Sequence, residues 1–123
     1  MYLIIDPSLH GSMHLLLLKK DTCIEKTYSA YNSDLLLCVD TFLYEQKCTL
    51  ESLFGILVVI GSGGFTSTRI AVVIANTISY TKKLAIGSIR HEELGVSYEN
   101  AKKFLLPQGQ YISAIYSGEP NIT

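Results

Sequence analysis

Apolar residues come in short blocks near the start of the chain and at helical spacing further on. Tyr2 to Ile5 is a compact apolar block that ends at Asp6-Pro7-Ser8. Proline stops a strand there, and Asp6, Ser8 and Gly11 supply turn chemistry. Met13 to Leu18 is a second apolar run, and Lys19-Lys20-Asp21 turns the chain into Cys23 to Tyr28. In that third run Ile24, Lys26 and Tyr28 alternate with Cys23, Glu25 and Thr27, the pattern of a half-exposed strand. Three strands with short turns predict an antiparallel meander.

The spacing then changes. A helix is predicted from Ser33 to about Lys47, with Ser33 as N-cap and Asp34 in the first turn, where an anion is favoured. Leu35, Leu36, Val39, Phe42 and Leu43 form its main apolar face. Leu37, Tyr44 and Cys48 make a second stripe, which ordinary partial burial or a partner surface would explain. A turn near Thr49 to Ser52 leads to Gly55-Ile-Leu-Val-Val-Ile60, with the length and β-branched content of a buried strand. The segment Thr66–Tyr80 is ambiguous, since Ile70, Val72, Val73, Ile74 and Ile78 are β-branched. Its length, and Ala71 and Ala75 lying four apart, favour helix, with Thr66 or Ser67 as cap. Drawn as a helix, Ile70, Val73, Ile74, Thr77 and Ile78 cover one side, expected to face the core. Ala71, Val72, Ala75 and Ser79 cover another, expected to meet a second protein. Leu84 to Ser88 is the next strand, closing a βαβ unit. Ile89 to Leu94 is expected as a helical turn and Ser97 to Leu105 as a short capped helix. Pro107-Gln-Gly109 breaks the chain, Tyr111 to Tyr116 alternates like an edge strand, and Ser117 to Thr123 reads as an extended tail.

With 123 residues, the chain has the length of one domain. Hydrophobic residues make up 48% and charged ones 17%, enough for a real core in a soluble protein. The net charge of −1 gives no basic stripe for a nucleic acid. Lys82-Lys83 and Lys102-Lys103 read as solvated helix or turn ends. No cleavable leader pattern opens the sequence, and the apolar runs are too short to span a bilayer. Cys23, Cys38 and Cys48 are odd in number and form no C-x-x-C pair, which suits reduced, mostly buried thiols in the cytosol.

Candidate chemistry gathers at two points. Gly61-Ser-Gly-Gly64 follows the Gly55–Ile60 strand and precedes a helix, so free backbone N–H groups could point at an anion there. Asp6 could face magnesium and phosphate at the end of the first strand, or it could cap its own turn; with Ser8, Gly61, Gly63 and Gly64 it makes the candidate anion or nucleotide site. His10 and His14 have an i, i+4 spacing, but no third ligand is near, so no metal is expected. No Ser-His-Asp or Cys-His arrangement is visible, and Cys38 reads as packing. Arg69 opposes the helix dipole, so it calls for a carboxylate or carbonyl partner, either internal, such as Asp6, or across an interface.

Ile4-Ile5-Asp6-Pro7-Ser8 resembles the I-D-T-S opening of the TsaB (YeaZ) family, and Gly61 to Ile70 resembles its G-P-G-S-F-T-G-L-R-I-G signature. Gly61, Gly63, Phe65, Thr66, Arg69 and Ile70 match in order and spacing. Ser62, Gly64, Ser67 and Thr68 depart from it, as Pro7 does from the first motif. The similarity runs from residue 1 to about 90, and Tyr116 to Ile122 resembles the family's Y-x-R-E-P-x-I ending. The resemblance implies an α/β fold: a single actin-like, ribonuclease H-like (ASKHA) domain in β-β-β-α-β-α-β order, with a mixed sheet flanked by helices. Residues 1–95 would form the ASKHA-type part and residues 96–123 a helix, edge strand and tail completing it, in a shortened member lacking most of a second domain.

The resemblance further implies a cytoplasmic role in making threonylcarbamoyladenosine on tRNA, as a non-catalytic subunit with no cofactor. The expected partners are the catalytic subunit TsaD and, beside it, the ATPase TsaE, with a homodimer in isolation. The contact would use the two main helices through Leu37, Tyr44, Arg69, Val72, Ala75, Asn76 and Ser79. The alternative is a minimal nucleotide-binding protein or ATPase of the same superfamily; the peptidase label attached to the superfamily has no support in these residues.

Overall fold

In the computed structural model, residues 1–8, 11–29, 35–61 and 65–113 are described. Five strands form one mixed sheet: β1 (Tyr2–Asp6), β2 (Ser12–Leu18), β3 (Cys23–Ser29), β4 (Gly55–Ile60) and β5 (Ala85–Arg90), in the order β3-β2-β1-β4-β5. The meander is present, with Ile4 opposite Leu16 and Leu16 opposite Glu25 in antiparallel register. β4 inserts beside β1 in parallel, Ile4 opposite Leu57, and β5 follows it in parallel on the other side. The order along the chain is β-β-β-α-β-α-β, followed by a short helical segment.

Period-two alternation sorts the strand residues onto two cores. Leu3, Ile5, Leu15, Leu17, Ile56 and Val58 face helices α1 (Leu35–Glu45) and α2 (Phe65–Lys82). Ile4, Leu16, Leu57, Val59 and Ile89 face the opposite layer, built on α3 (Tyr98–Ala101) and the 3-10 turn Lys102–Phe104. β4 is covered on both faces, so all six of its residues are buried, and it reads as a continuous apolar run for that reason. β3 is an edge strand with only Ile24 and Tyr28 half-buried.

α1 buries Leu35, Cys38, Val39, Phe42 and Leu43, a stripe at i, i+3, i+4, i+7 and i+8. Leu36, expected inside, is 41% exposed, and Cys38 takes its place. The predicted cap Ser33 and Asp34 lie outside the described residues. α2 departs further from expectation, because it is turned so that its small residues face the core together with Ile78, while Ile70, Val73 and Thr77 of the expected core side turn outward with Tyr80. Thr68, Ala71, Val72, Ala75, Ile78 and Ser79 are buried, while Ile70, Val73 and Tyr80 are 45%, 56% and 73% exposed. The sheet already supplies Leu, Ile and Val side chains, so the helix approaches it with its small residues. The buried Ser79 hydroxyl is satisfied by donating to Leu84 O at 2.5 Å. Thr66 and Ser67 fall within α2 rather than at its cap.

Both long helices stop in the same way. Lys47 and Lys83 take left-handed backbone with φ 57°. Cys48 N–H then donates to Leu43 O at 2.9 Å, and Leu84 N–H to Ser79 O at 3.0 Å, which absorbs orphan carbonyls. Beyond β5, His91–Glu93 makes a 3-10 turn, and Ser97 caps α3 by accepting from Asn100 N–H at 3.3 Å. Gly87 is where this layer touches the sheet: a Cβ there would overlap the Phe104 carbonyl.

Tyr111 to Ser113 form no strand, contrary to the alternating pattern; Ile112 instead packs into the α2-side core. The remainder of that predicted strand, and the tail, lie outside the described residues. Among the described residues no helix is long and apolar enough to cross a membrane.

Candidate functional site

The parallel strands β1, β4 and β5 end on the same side of the sheet, where open α/β sheets hold ligands. Asp6 closes β1 there and is 1% exposed. Its Oδ1 accepts the Ser8 N–H at 3.0 Å and the Ser8 hydroxyl at 2.5 Å, closing an Asx turn around Pro7. Its Oδ2 lies 3.4 Å from Nδ1 of His14, the residue opposite it on β2. The other ring nitrogen, Nε2, is 2.6 Å from Oε1 of Glu25, a diagonal neighbour on β3. A polar chain thus runs from the turn after β1 across two strands. It extends the other way too, since Ser8 Oγ is 3.3 Å from His91 Nδ1 after β5.

This cluster brings together Asp6 and Ser8, both candidates from the sequence, with His14, Glu25 and His91. Ser8 and His91 are 83 residues apart, so spacing could not have shown them together. Asp6 accepts the Ser8 hydroxyl hydrogen bond directly, whereas in a hydrolytic triad the carboxylate stands behind the histidine that bonds the serine. Both Asp6 oxygens are engaged by its own chain. His14 is committed to two carboxylates, His10 lies outside the described residues, and among the described residues no group of three or more His, Cys, Asp or Glu is placed to hold a metal.

Gly61 has φ 88°, a conformation that favours glycine, and an added Cβ would stand 3.0 Å from Arg90 Nη1. Gly63 and Gly64 lie outside the described residues. A hollow of about 630 Å³ lies at the opposite end of the strands between Tyr2, Phe54, Leu105 and Pro107, away from Asp6. Tyr2 is stacked edge-on by both Phe54 and Tyr98 there, and burial pushes its hydroxyl above the ordinary tyrosine range, the Tyr98 hydroxyl adding to the shift.

The helical candidates divide. Leu37 and Tyr44 stand 62% and 83% exposed on α1, and Arg69 is exposed on α2. Val72, Ala75 and Ser79 are buried in the chain's own core and offer nothing to a partner, for the packing reason given above. Asn76 is half-buried, with both ends of its amide bonded to the backbone of Ile112. What sequence reasoning missed is the outward set Leu36, Ile70, Val73 and Tyr80. α1 and α2 pack on the same face of the sheet and against each other, so their outward residues belong to one side of the molecule.

Among solved structures the chain is similar to YeaZ from Pseudomonas aeruginosa, with a TM-score of 0.64 and 21% identity over 72% of this chain and 43% of that one. The fold is YeaZ-like. A crystal structure described as an uncharacterized protein with similarity to peptidase YEAZ from Pseudomonas aeruginosa matches equally, with a TM-score of 0.64, 21% identity, and coverage of 72% of this chain and 42% of that one. The chain therefore spans less than half the length of these YeaZ-like structures. No family pattern and no curated protein matches it.

Proposed function

We propose that the chain is a TsaB (YeaZ)-type subunit with one ASKHA-type domain, which serves the threonylcarbamoyladenosine machinery of the cytoplasm as a non-catalytic partner of TsaD. The observation that carries this is the outward apolar set on α1 and α2: Leu36, Leu37, Tyr44, Ile70, Val73 and Tyr80, each between 41% and 83% exposed. Single apolar residues scattered on a surface are ordinary, but six on two adjacent helices mark a surface made to be covered. Helix faces of this kind are buried by another pair of helices through ridges and grooves. The YeaZ-like fold and the two sequence motifs direct the choice of partner to TsaD. Without TsaD the same faces close on a second copy, and TsaE joins the pair. The tRNA contact then falls to the partner, since this chain has no basic surface in its composition. Asp6 supports the non-catalytic reading, because its oxygens are taken up in a turn cap and a histidine contact.

The test is capture by the TsaD of the same organism. Leu37→Glu with Val73→Glu should abolish capture and leave the melting temperature within a few degrees, both sites being exposed. Capture that survives in the folded double variant overturns the docking surface. ATP with magnesium should not raise the melting temperature at millimolar concentration; a clear rise would favour the nucleotide-binding alternative by mass action.

A further inference from the structure

After α3 the chain returns to the α2 side of the sheet. Leu105 packs with the α3-side core and Leu106 with the α2-side core, and Leu106 N–H donates to Ile86 O at 2.9 Å. A reverse turn follows, closed by Gln110 N–H on Pro107 O at 3.1 Å and using Gly109 at φ 93°. It sends residues 111–113 across α2, where Ile112 enters the core at 9% exposure. One side chain meets both main-chain groups of Ile112: its N–H donates to Asn76 Oδ1 at 3.1 Å, and Asn76 Nδ2 donates to its carbonyl at 3.0 Å. This is the double contact that a neighbouring strand offers one residue, made by a single amide.

Two features set this closure apart from the sheet. Against α2 it is held by the Asn76 amide, the Ile112 side chain and the Gln108 amide, which donates to Lys83 O at 3.2 Å, with no ladder behind it. Open grooves also flank it, of about 310 Å³ along Asn76, Tyr80 and Tyr111 and about 220 Å³ along Lys83, Leu84 and Gly109. Segments with few packed neighbours and side-chain-mediated bonds open at lower free energy than the core around them. Tyr80 belongs both to the open apolar face and to the groove lined by Tyr111.

We propose that residues 106–113 are a latch on α2, closed by Asn76, which opens independently of the sheet and, when open, widens the apolar face offered to a partner. The widening step rests on the docking reading above; the latch itself does not. Amide hydrogen exchange on the whole chain tests it. Ile112 N–H should exchange at least about a hundredfold faster than the amides of Leu57 and Val58 in β4. Asn76→Ala should speed Ile112 by about tenfold or more, through loss of its two hydrogen bonds, and leave β4 unchanged. Ile112→Ala, which vacates the seat and keeps the amide, should raise exchange at Gln110 and Ser113 in the same selective way. Protection of Ile112 equal to that of β4, or an acceleration shared evenly by β4, overturns the latch. With the latch shown open, capture by the pull-down partner should rise several-fold in Asn76→Ala. Unchanged capture overturns the widening step, whereas no capture by the unaltered chain is a failure of the docking reading and leaves the exchange result to decide the latch.

Discussion

Val72 and Val73 are adjacent, chemically identical and about 100° apart around α2, at 6% and 56% exposure. Truncating each to alanine therefore measures which side faces the core. At Val72 the loss is two buried methyl-sized groups at about 0.8 kcal/mol each. A residual void of about 50 Å³ at about 24 cal/mol per Å³ adds roughly 1.2 kcal/mol. Alanine's better helix propensity returns about 0.5 kcal/mol, so the net cost is about 2.3 kcal/mol. At Val73 roughly half the transfer loss remains, there is no cavity, and propensity offsets most of it; the net is within about 0.5 kcal/mol of zero. With an unfolding entropy near 2.1 cal/mol/K per residue, a chain of 123 residues shifts by about 4 °C per kcal/mol. Thermal unfolding followed by circular dichroism should thus show a drop of roughly 9 °C for Val72→Ala and about 2 °C or less for Val73→Ala. Equal drops, or a larger one at Val73, would refute the assigned faces and with them the docking surface.

Gly87→Ala places a methyl group on the Phe104 carbonyl; it should separate the α3 layer from β5 and cost about 2 kcal/mol or more, visible as a large fall in the urea midpoint. Lys83→Gly relieves left-handed backbone at the end of α2 and should stabilise the chain by about 0.5–1 kcal/mol in the same assay. Lys82, hydrogen-bonded to Glu51, holds the Glu51 carboxyl below its ordinary 4.5. A folded-state value below the unfolded one contributes stability above pH 4.5 that is lost as pH falls through the folded value. Glu51→Gln should flatten the acid limb of the melting-temperature profile slightly at low salt, and the difference should vanish in molar salt, because both groups are exposed.

β1, β2 and β4 were legible as short apolar blocks beside turn residues and β3 by its alternation, and β4 reads as buried on both faces from its unbroken run. α1 was legible apart from Leu36, a position where volume and burial disagree. The rotation of α2 was not legible. Apolar residues surround that helix, so periodicity gives no direction, and the larger side chains drew the expected core to the wrong side. Choosing correctly requires knowing how full the sheet face already is, which is a property of β1, β2 and β4 rather than of α2. The polar cluster was half legible: Asp6 and Ser8 announce a turn, but His91 reaches them only through the insertion of β4 and β5. Asn76 was expected at a partner contact, since the backbone it actually bonds lies 36 residues away in a segment whose alternation imitates a strand.

The insertion of β4 beside β1 also has a consequence for the order of events during synthesis. The meander of residues 2–29 can pair as it emerges, yet its β1 side stays an open edge, apolar from Leu3 to Ile5, until residues 55–60 arrive. Parallel pairing across that separation closes a long loop and is slow compared with hairpin formation. In the interval an unpaired edge of buried-type residues is available to other chains. Yield of this protein should therefore depend on how quickly β4 follows the meander off the ribosome, more than on the stability of the finished sheet.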